Sequence, residues 1–390
     1  MRYHLDTAMS LQFDEHRQYL ADPHRLAAFE QAIARVVTPG DVVVDLGCGT
    51  GILGLFACRA GASRVYAIDD GGMIGIARQI AAANGLADRI VHVHAYSTRA
   101  DLPERADVIV SDQMGRLGFE AGVVEFFADA SRRMLKPGGR LLPRSVATWM
   151  APIEAPEMTA WVEFWNTKPA GFDVSIVRQG AVNTGYPAHL NPSQCLAEGT
   201  PLLSMRFGDP ASESCRGTAT FTVTRAGLLS GLGGWFVADM AEGVTMTNAP
   251  GAPDQIGRRQ AFLPLDHPVA VEPGDTVACT VLVRPVDSIV AWQLTVRRGD
   301  QVLRRSRQST LAGMLILPEM LEQTNPQRRP RLSPWADARA TILQLCDGMH
   351  TLAEIEQETA VRHPDLFVSP DAAAIFVAEV VTRYGRADDR

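Results

Sequence analysis

The chain has 390 residues, with 37 Lys and Arg against 44 Asp and Glu, for a formal charge of −7. That length allows two or three domains, and the mild negative balance supplies no global field for nucleic acid. Six cysteines (Cys48, Cys58, Cys195, Cys215, Cys279, Cys346) lack CxxC spacing, no signal segment opens the chain and no run nears 18 apolar residues, so the sequence predicts no metal site, no disulfide framework, no membrane span and a reducing, cytoplasmic setting.

Along residues 1–40, the spacing of Phe13, Leu20, Leu26, Phe29 and Ile33 suits one or two amphipathic helices. Asp22 is placed to cap a helix that Pro23 begins. His16 and Arg25 are candidate cofactor contacts; for Arg25 a solvated helix position is the equal alternative.

Val42-Val43-Val44 runs into Asp45-Leu46-Gly47-Cys48-Gly49-Thr50-Gly51, and Ile52 opens a helical pattern. Strand, tight turn and helix make the opening unit of a doubly wound α/β domain. Gly47, Gly49 and Gly51 let the backbone approach a ligand closely. The run is GxGxG, and Ile52 stands where a dinucleotide fingerprint carries its next glycine. Asp45 would repel a pyrophosphate and attract the amino group of methionine. The loop therefore points to S-adenosylmethionine. A second strand, Arg64–Asp69, ends in an acid able to accept from a ribose diol, with Asp70 beside it.

Ile74–Ala83 reads as a helix stopped by Asn84-Gly85. Ile90–Ala95 and Ala106–Asp112 read as the third and fourth strands. Ligands bind beyond the carboxyl ends of such strands, which places Asp45, Asp69, Thr98 and Asp112 on one rim. Helix 121–135 follows, and residues 136–140 turn into a strand at Leu141. In the loop Ser111–Glu120 two carboxylates, Asp112 and Glu120, bracket two glycines. They are the candidate catalytic residues, able to clamp a planar guanidinium and bias its charge away from the attacking nitrogen. Glu120 can instead cap the next helix.

From residue 151 the composition changes. Strand-like pieces at 202–207, 217–223, 234–239, 269–271, 277–283 and 289–296 alternate with turns such as Glu272-Pro273-Gly274-Asp275. They read as an antiparallel sandwich or distorted barrel. Trp161, Phe164, Trp165 and Phe172 precede them, with core packing as the role expected for most. The last 55 or so residues read as three helices, 336–346, one capped by Thr351 with Glu354, and 372–384. A winged-helix-like module fits, with an acidic face that disfavours DNA.

These motifs resemble the protein arginine methyltransferase family across residues 10–300. Phe13–Ile33 resembles its first helical motif, with His16, Asp22 and Arg25 in matching places, and Asp45–Leu53 matches its cofactor loop. The resemblance implies that Arg25 meets the methionine carboxylate, that Asp69 replaces a glutamate on the ribose, and that Thr98 replaces an acid near the adenine. It implies a homodimer through an arm near 155–190, entered at Ala170–Ser175. Two departures mark the acceptor side. Asp112 and Gln113 replace a Glu-Trp pair, and the second acid falls on Ala121, with Glu120 one residue early. A Thr-His-Trp segment is replaced by Ile256-Gly257-Arg258. Residues Trp335–Tyr384 resemble PqqD-like domains that recognise precursor peptides, with Gln301–Arg305 and Leu315–Leu317 as candidate strands.

The expected architecture is an α/β Rossmann-like methyltransferase domain (41–145) behind cofactor-covering helices (1–40). An antiparallel β-barrel domain (146–310) and a PqqD-like or winged-helix-like module (311–390) follow. The expected activity is S-adenosylmethionine-dependent N-methylation of a guanidino or amino group in a peptide or natural-product intermediate. An O- or C-methyltransferase and a non-catalytic peptide-binding homologue are the alternatives. Nucleic acid and membrane partners are not expected.

Overall fold

The computed structural model describes residues 11–208 and 214–385. The chain divides into two compact units, one running to Met314 and the other from Leu315.

In the first unit, α1 (Leu11–Leu20) and α2 (Pro23–Val36) precede β1 (Val42–Leu46). Then come α3 (Ile52–Arg59), β2 (Arg64–Asp69), α4 (Met73–Ala83), β3 (Ile90–His94), β4 (Ala106–Val110), α5 (Val123–Arg133) and β5 (Leu135–Leu142). The five strands form a parallel sheet in the order β3-β2-β1-β4-β5. Every residue of β1 is buried, as expected of a central parallel strand covered on both faces. The chain leaves β1 toward β2 on one side and later returns to β4 on the other. That reversal opens a crevice beyond the carboxyl ends of β1 and β4, where Gly47 and Asp112 lie. β5 begins at Leu135, earlier than the Leu141 expected, because Lys136-Pro137-Gly138-Gly139 is drawn into the edge strand beside β4.

The rest of this unit is β-rich. It comprises β6 (Ser145–Ile153), α6 (Pro156–Glu163), α7 (Arg178–Ala181), β7 (Tyr186–Ala188), β8 (Thr200–Arg206), β9 (Cys215–Thr222), β10 (Gly227–Ala241), β11 (Val244–Thr247), β12 (Gln260–Val271), β13 (Thr276–Arg284), β14 (Ile289–Arg298) and β15 (Gln301–Ser309). The strands do not close into the expected barrel. They make a six-stranded antiparallel sheet, β7-β12-β10-β6-β8 with β11 on β10, and a four-stranded one, β15-β14-β13-β9. β8 lies against β9 and β12 against β15 without a shared ladder. One buried apolar cluster runs from Val43 and Ile109 through Phe236 to Trp292. The α/β part and the β-rich part therefore share a core, and no separate unit begins at residue 146.

Two expectations fail for physical reasons. Trp161, Phe164 and Phe172 are exposed rather than packed in the core; they lie on the segment 155–190, whose short helices leave one side uncovered. Gln301–Ser309 belongs to the four-stranded sheet, turned back on β14 through Gly299-Asp300, and Leu315–Leu317 forms no strand. Neither supplies strands to the second unit, which consists of α8 (Pro318–Gln323), α9 (Pro334–Leu345), α10 (Leu352–Arg362) and α11 (Pro370–Tyr384). Its core is Ile342, Leu345, Ile355, Val377 and Val380. Thr351 and Glu354 form the expected capping box. Among the described residues no helix is long and apolar enough to cross a membrane.

Asp22 ties the two ends of the site together. It caps α2, with Oδ1 accepting from the Arg25 amide at 3.0 Å. Its Oδ2 accepts from the Gly257 amide at 2.7 Å. One carboxylate thus fixes both the helix carrying Arg25 and the segment carrying Arg258. Asp22→Ala is expected to cost about 1–2 kcal/mol in urea denaturation, and Asp22→Asn less than half of that.

Candidate active site

A cavity of about 1410 Å³ lies over the glycine loop. His16, Tyr19 and Arg25 wall it from the N-terminal helices, Gly47, Gly49 and Asp69 from the sheet edge. Asp112, Gln113 and Glu120 line it from the loop after β4, and His189, Arg258 and Arg259 from the β-rich side.

The loop geometry depends on glycine at two points. Gly47 and Gly49 have φ of 71° and 52°, in the left-handed region that side chains disfavour. They are also crowded. A Cβ on Gly47 would lie 2.3 Å from Gln113 Nε2, and one on Gly49 would lie 2.5 Å from His16 Cε1. His16 and Gln113 thus cover the loop. Gly51 starts α3 with φ of 78°. The packing glycine is Gly54 rather than residue 52, with its Cβ position 3.1 Å from Val65 and 3.3 Å from Asp45.

Asp45 is fully buried beneath the loop, its Oδ2 accepting from the Gly54 amide at 2.8 Å. Among the described residues nothing donates to its Oδ1, nor to the buried Gln113 Oε1. Burial pushes the Asp45 carboxyl up to about 7, with the Asp69 charge adding to it and the Gly54 amide and Arg25 opposing. Asp69 accepts from the amides of Gly49 and Gly71, each at 2.8 Å. It thereby locks the glycine loop to the end of β2.

Two expected cofactor residues are not brought to the cavity. Asp70 is exposed, and its carbonyl meets His94 Nε2 at 3.2 Å. Thr98 sits in the one-turn helix Ser97–Arg99. Neither lines the cavity over the glycine loop, and neither do Asp45 and Gly51, which lie beneath and behind that loop.

Arg25 is not a solvated helix residue but is 6% exposed. Its Nε donates to Asp112 Oδ2 at 2.6 Å, and its guanidinium lies 5.2 Å from the Tyr19 ring centre and 5.3 Å from that of Phe29. Asp112 also accepts from Arg258 Nη2, at 3.0 and 3.1 Å to its two oxygens. Burial works against the Asp112 charge, but Arg25 and Arg258 outweigh it and hold the carboxyl below the usual range. Charge-assisted bonds of this kind are the strong ones.

Glu120 does not cap α5, whose N-cap is Gly122 without a side-chain bond. Its carboxylate turns back on its own loop. It accepts from the Leu117 amide at 3.0 Å, from the Phe119 amide at 3.3 Å and from the Arg116 amide. Gly115 makes room for it, since a Cβ there would lie 2.4 Å from the Glu120 carboxyl carbon. The displaced acid therefore does reach the cavity, on a tight turn that its own oxygens hold together.

Tyr19, Gln113 and Arg258 are site residues that motif reading did not assign a role. Gln113 and Arg258 carried a signal, Gln113 standing where the resembled family has Trp and Ile256-Gly257-Arg258 where it has Thr-His-Trp.

The chain matches the family model of ribosomal protein L11 methyltransferase (PrmA) over residues 25–143. It is 32% identical over 272 residues to an arginine N(omega)-methyltransferase of Streptomyces achromogenes subsp. streptozoticus, covering 67% of this chain and 74% of the relative. It is 28% identical to protein arginine N-methyltransferase 6 of Xenopus laevis, covering 70% of this chain and 84% of that one. Among solved structures, the Trypanosoma brucei PRMT1 enzyme–prozyme heterotetrameric complex with AdoHcy superposes with a TM-score of 0.69 at 22% identity, over 77% of this chain and 99% of the other. Arabidopsis thaliana protein arginine methyltransferase 10 gives 0.65 at 22% identity, over 76% and 97%.

S-adenosylmethionine fits the residues present. Its ammonium suits the orphaned Asp45 oxygen, its carboxylate a buried arginine, and its ribose an acid at the end of β2.

The Asp45 carboxyl gives a pH prediction with a definite sign. Its folded value, about 7, lies above the ordinary aspartate value of 3.8, so the native state keeps a proton that the unfolded chain releases. Its favourable contribution is full below the unfolded value and is lost as pH rises toward 7. Asp45→Asn is expected to gain stability over the unliganded wild type as pH goes from 5 to 8. Denaturation midpoints across that range provide the check; a constant difference would contradict the raised value.

Proposed function

The chain belongs to the arginine N-methyltransferase family, and from that premise we propose that it transfers a methyl group from S-adenosylmethionine to a guanidino nitrogen. It is an S-adenosylmethionine-dependent methyltransferase; the proposal concerns the acceptor. The observation that carries it is the pair Asp112 and Glu120 on one cavity wall, with a guanidinium, that of Arg258, already bonded to the first. A site that holds one guanidinium in this way has the donor–acceptor geometry for another.

When bound, S-adenosylmethionine supplies the methyl as part of a sulfonium, and the S–C bond breaks as the N–C bond forms. The protein's part is positioning and charge. In the proposed arrangement Arg25 faces the methionine carboxylate, Asp45 the ammonium and Asp69 the ribose, with His16 covering Gly49 and Gly51 opening α3 below the loop. Asp112 and Glu120 hold the acceptor's planar N–H groups and draw positive charge toward the nitrogens they touch. The remaining nitrogen regains lone-pair character and attacks. Its excess proton passes to a carboxylate or to water. Asp70 and Thr98 have no role in this scheme.

Two further elements belong to the proposal. The exposed Trp161, Phe164, Phe172 and Ile176 make segment 155–190 a candidate arm for a homodimer. The helical second unit is a candidate module for a peptide or natural-product intermediate bearing the guanidino group.

Asp112→Asn is expected to lower turnover of guanidino acceptors by about a hundredfold or more, with S-adenosylmethionine affinity changed by only a few-fold. Single-turnover kinetics and calorimetric titration separate the two. Full turnover in the variant would remove Asp112 from the chemistry. Transfer to oxygen or carbon acceptors alone would replace the reading.

A further inference from the structure

Arg258 is no loose surface arginine. Its side chain is 14% exposed, and the backbone on either side is anchored. The Gly257 amide donates to Asp22, the Ile256 amide to the Thr247 carbonyl at 2.9 Å, and the Arg259 carbonyl accepts from Asn248 Nδ2 at 3.1 Å. From that fixed base the guanidinium reaches across the cavity. Nη2 engages both oxygens of Asp112, and Nη1 comes to 3.5 Å from the Gly115 carbonyl. Burial works against its charge, but the carboxylates of Asp112 and Glu120 favour its cationic form, and the Phe236 ring centre lies 5.9 Å from it.

This is the environment that a guanidino acceptor needs: a carboxylate, a carbonyl on the Gly115–Glu120 turn, the field of a second carboxylate and an aromatic face. We propose that Arg258 is the specificity-determining residue of the acceptor site. Its own guanidinium is the resident occupant of the acceptor slot, and an acceptor enters only by displacing it. The inference rests on the guanidino reading of Asp112 and Glu120.

The consequence follows from charge and from tethering. Asp112 already carries two guanidiniums, Arg25 and Arg258; a third cation there is repelled, and the resident Arg258 is intramolecular, hence present at high effective concentration. A small free guanidine brings nothing to offset that advantage. An acceptor that also binds along the cavity, beside His189 or Arg116, brings the extra contacts that drive Arg258 out. Wild-type enzyme therefore selects guanidino groups carried on a larger molecule over small guanidines.

The test measures occupancy of the slot without relying on catalysis. Guanidinium chloride at millimolar concentration is titrated calorimetrically into wild type, Arg258→Ala and Arg258→Lys, with ammonium chloride as the control for ionic strength and charge. Arg258→Ala is expected to bind guanidinium about tenfold or more tightly than wild type, without a matching gain for ammonium. Arg258→Lys, which refills the slot with a cation, is expected to stay near wild type. Should Arg258→Ala fail to fold, Arg258→Met keeps the apolar stem and removes only the charge. Guanidinium binding in a folded variant no tighter than in wild type would overturn the inference. So would equal gains for guanidinium and ammonium. Methyl-transfer assays on the same proteins keep the two readings apart. Transfer to guanidino acceptors without the guanidinium effect sinks only the role of Arg258. Tighter guanidinium binding without transfer leaves the slot intact and sinks the reaction.

Discussion

The site depends on one largely covered carboxylate, 11% exposed, held by two arginines. Asp112 at the end of β4 joins Arg25 on α2 to Arg258 ahead of β12. Those three residues come from the helical N-terminus, the parallel sheet and the antiparallel sheet. Burying such a charge is costly unless every part is paired, and removing one partner typically costs about 3–5 kcal/mol. The arrangement contributes little net stability, but it fixes the register of the three layers around the cavity. Asp22 repeats the linkage through backbone amides, tying the start of α2 to Gly257.

Around that point the cavity has two electrostatic characters. Its floor places a buried carboxylate, Asp45, and a buried arginine, Arg25, around the glycine loop. Asp45 lies under a loop of left-handed glycines, its second oxygen unpartnered and its carboxyl raised by burial. A cation beside it would restore the ionised form. Its far wall is built around acids that are already engaged, Asp112 by arginines and Glu120 by the amides of its own turn. In the proposed arrangement the cofactor side and the acceptor side meet at the bonded pair Arg25 and Asp112.

Much of this was legible in the sequence where the signal is local. The apolar run into Asp45 and the glycines gave β1, the loop and α3. Asp22 with Pro23 gave the cap of α2, and Thr351 with Glu354 gave the cap of α10. What was not legible depends on contacts far apart in the chain. Arg258 meets Asp112 across 146 residues, and no periodicity encodes that. Glu120, a candidate catalytic acid whose position also suits a helix cap, is taken instead by three amides of its own turn. Gln301–Ser309 reads equally well as a strand of either neighbour, and the tight turn at Gly299 assigns it to β14. The aromatic residues near 161–172 carry the composition of a core, while their short helices leave them on the surface.

The central claim is that the methyl group ends on a guanidino nitrogen received by Asp112 and Glu120. The most direct measurement uses S-adenosylmethionine labelled with carbon-13 in the methyl group and an acceptor labelled with nitrogen-15 in its guanidino group. The account predicts a product whose carbon-13 methyl couples directly to a guanidino nitrogen-15. A labelled methyl on oxygen, on carbon or on an amino nitrogen, with none on the guanidino group, would contradict it.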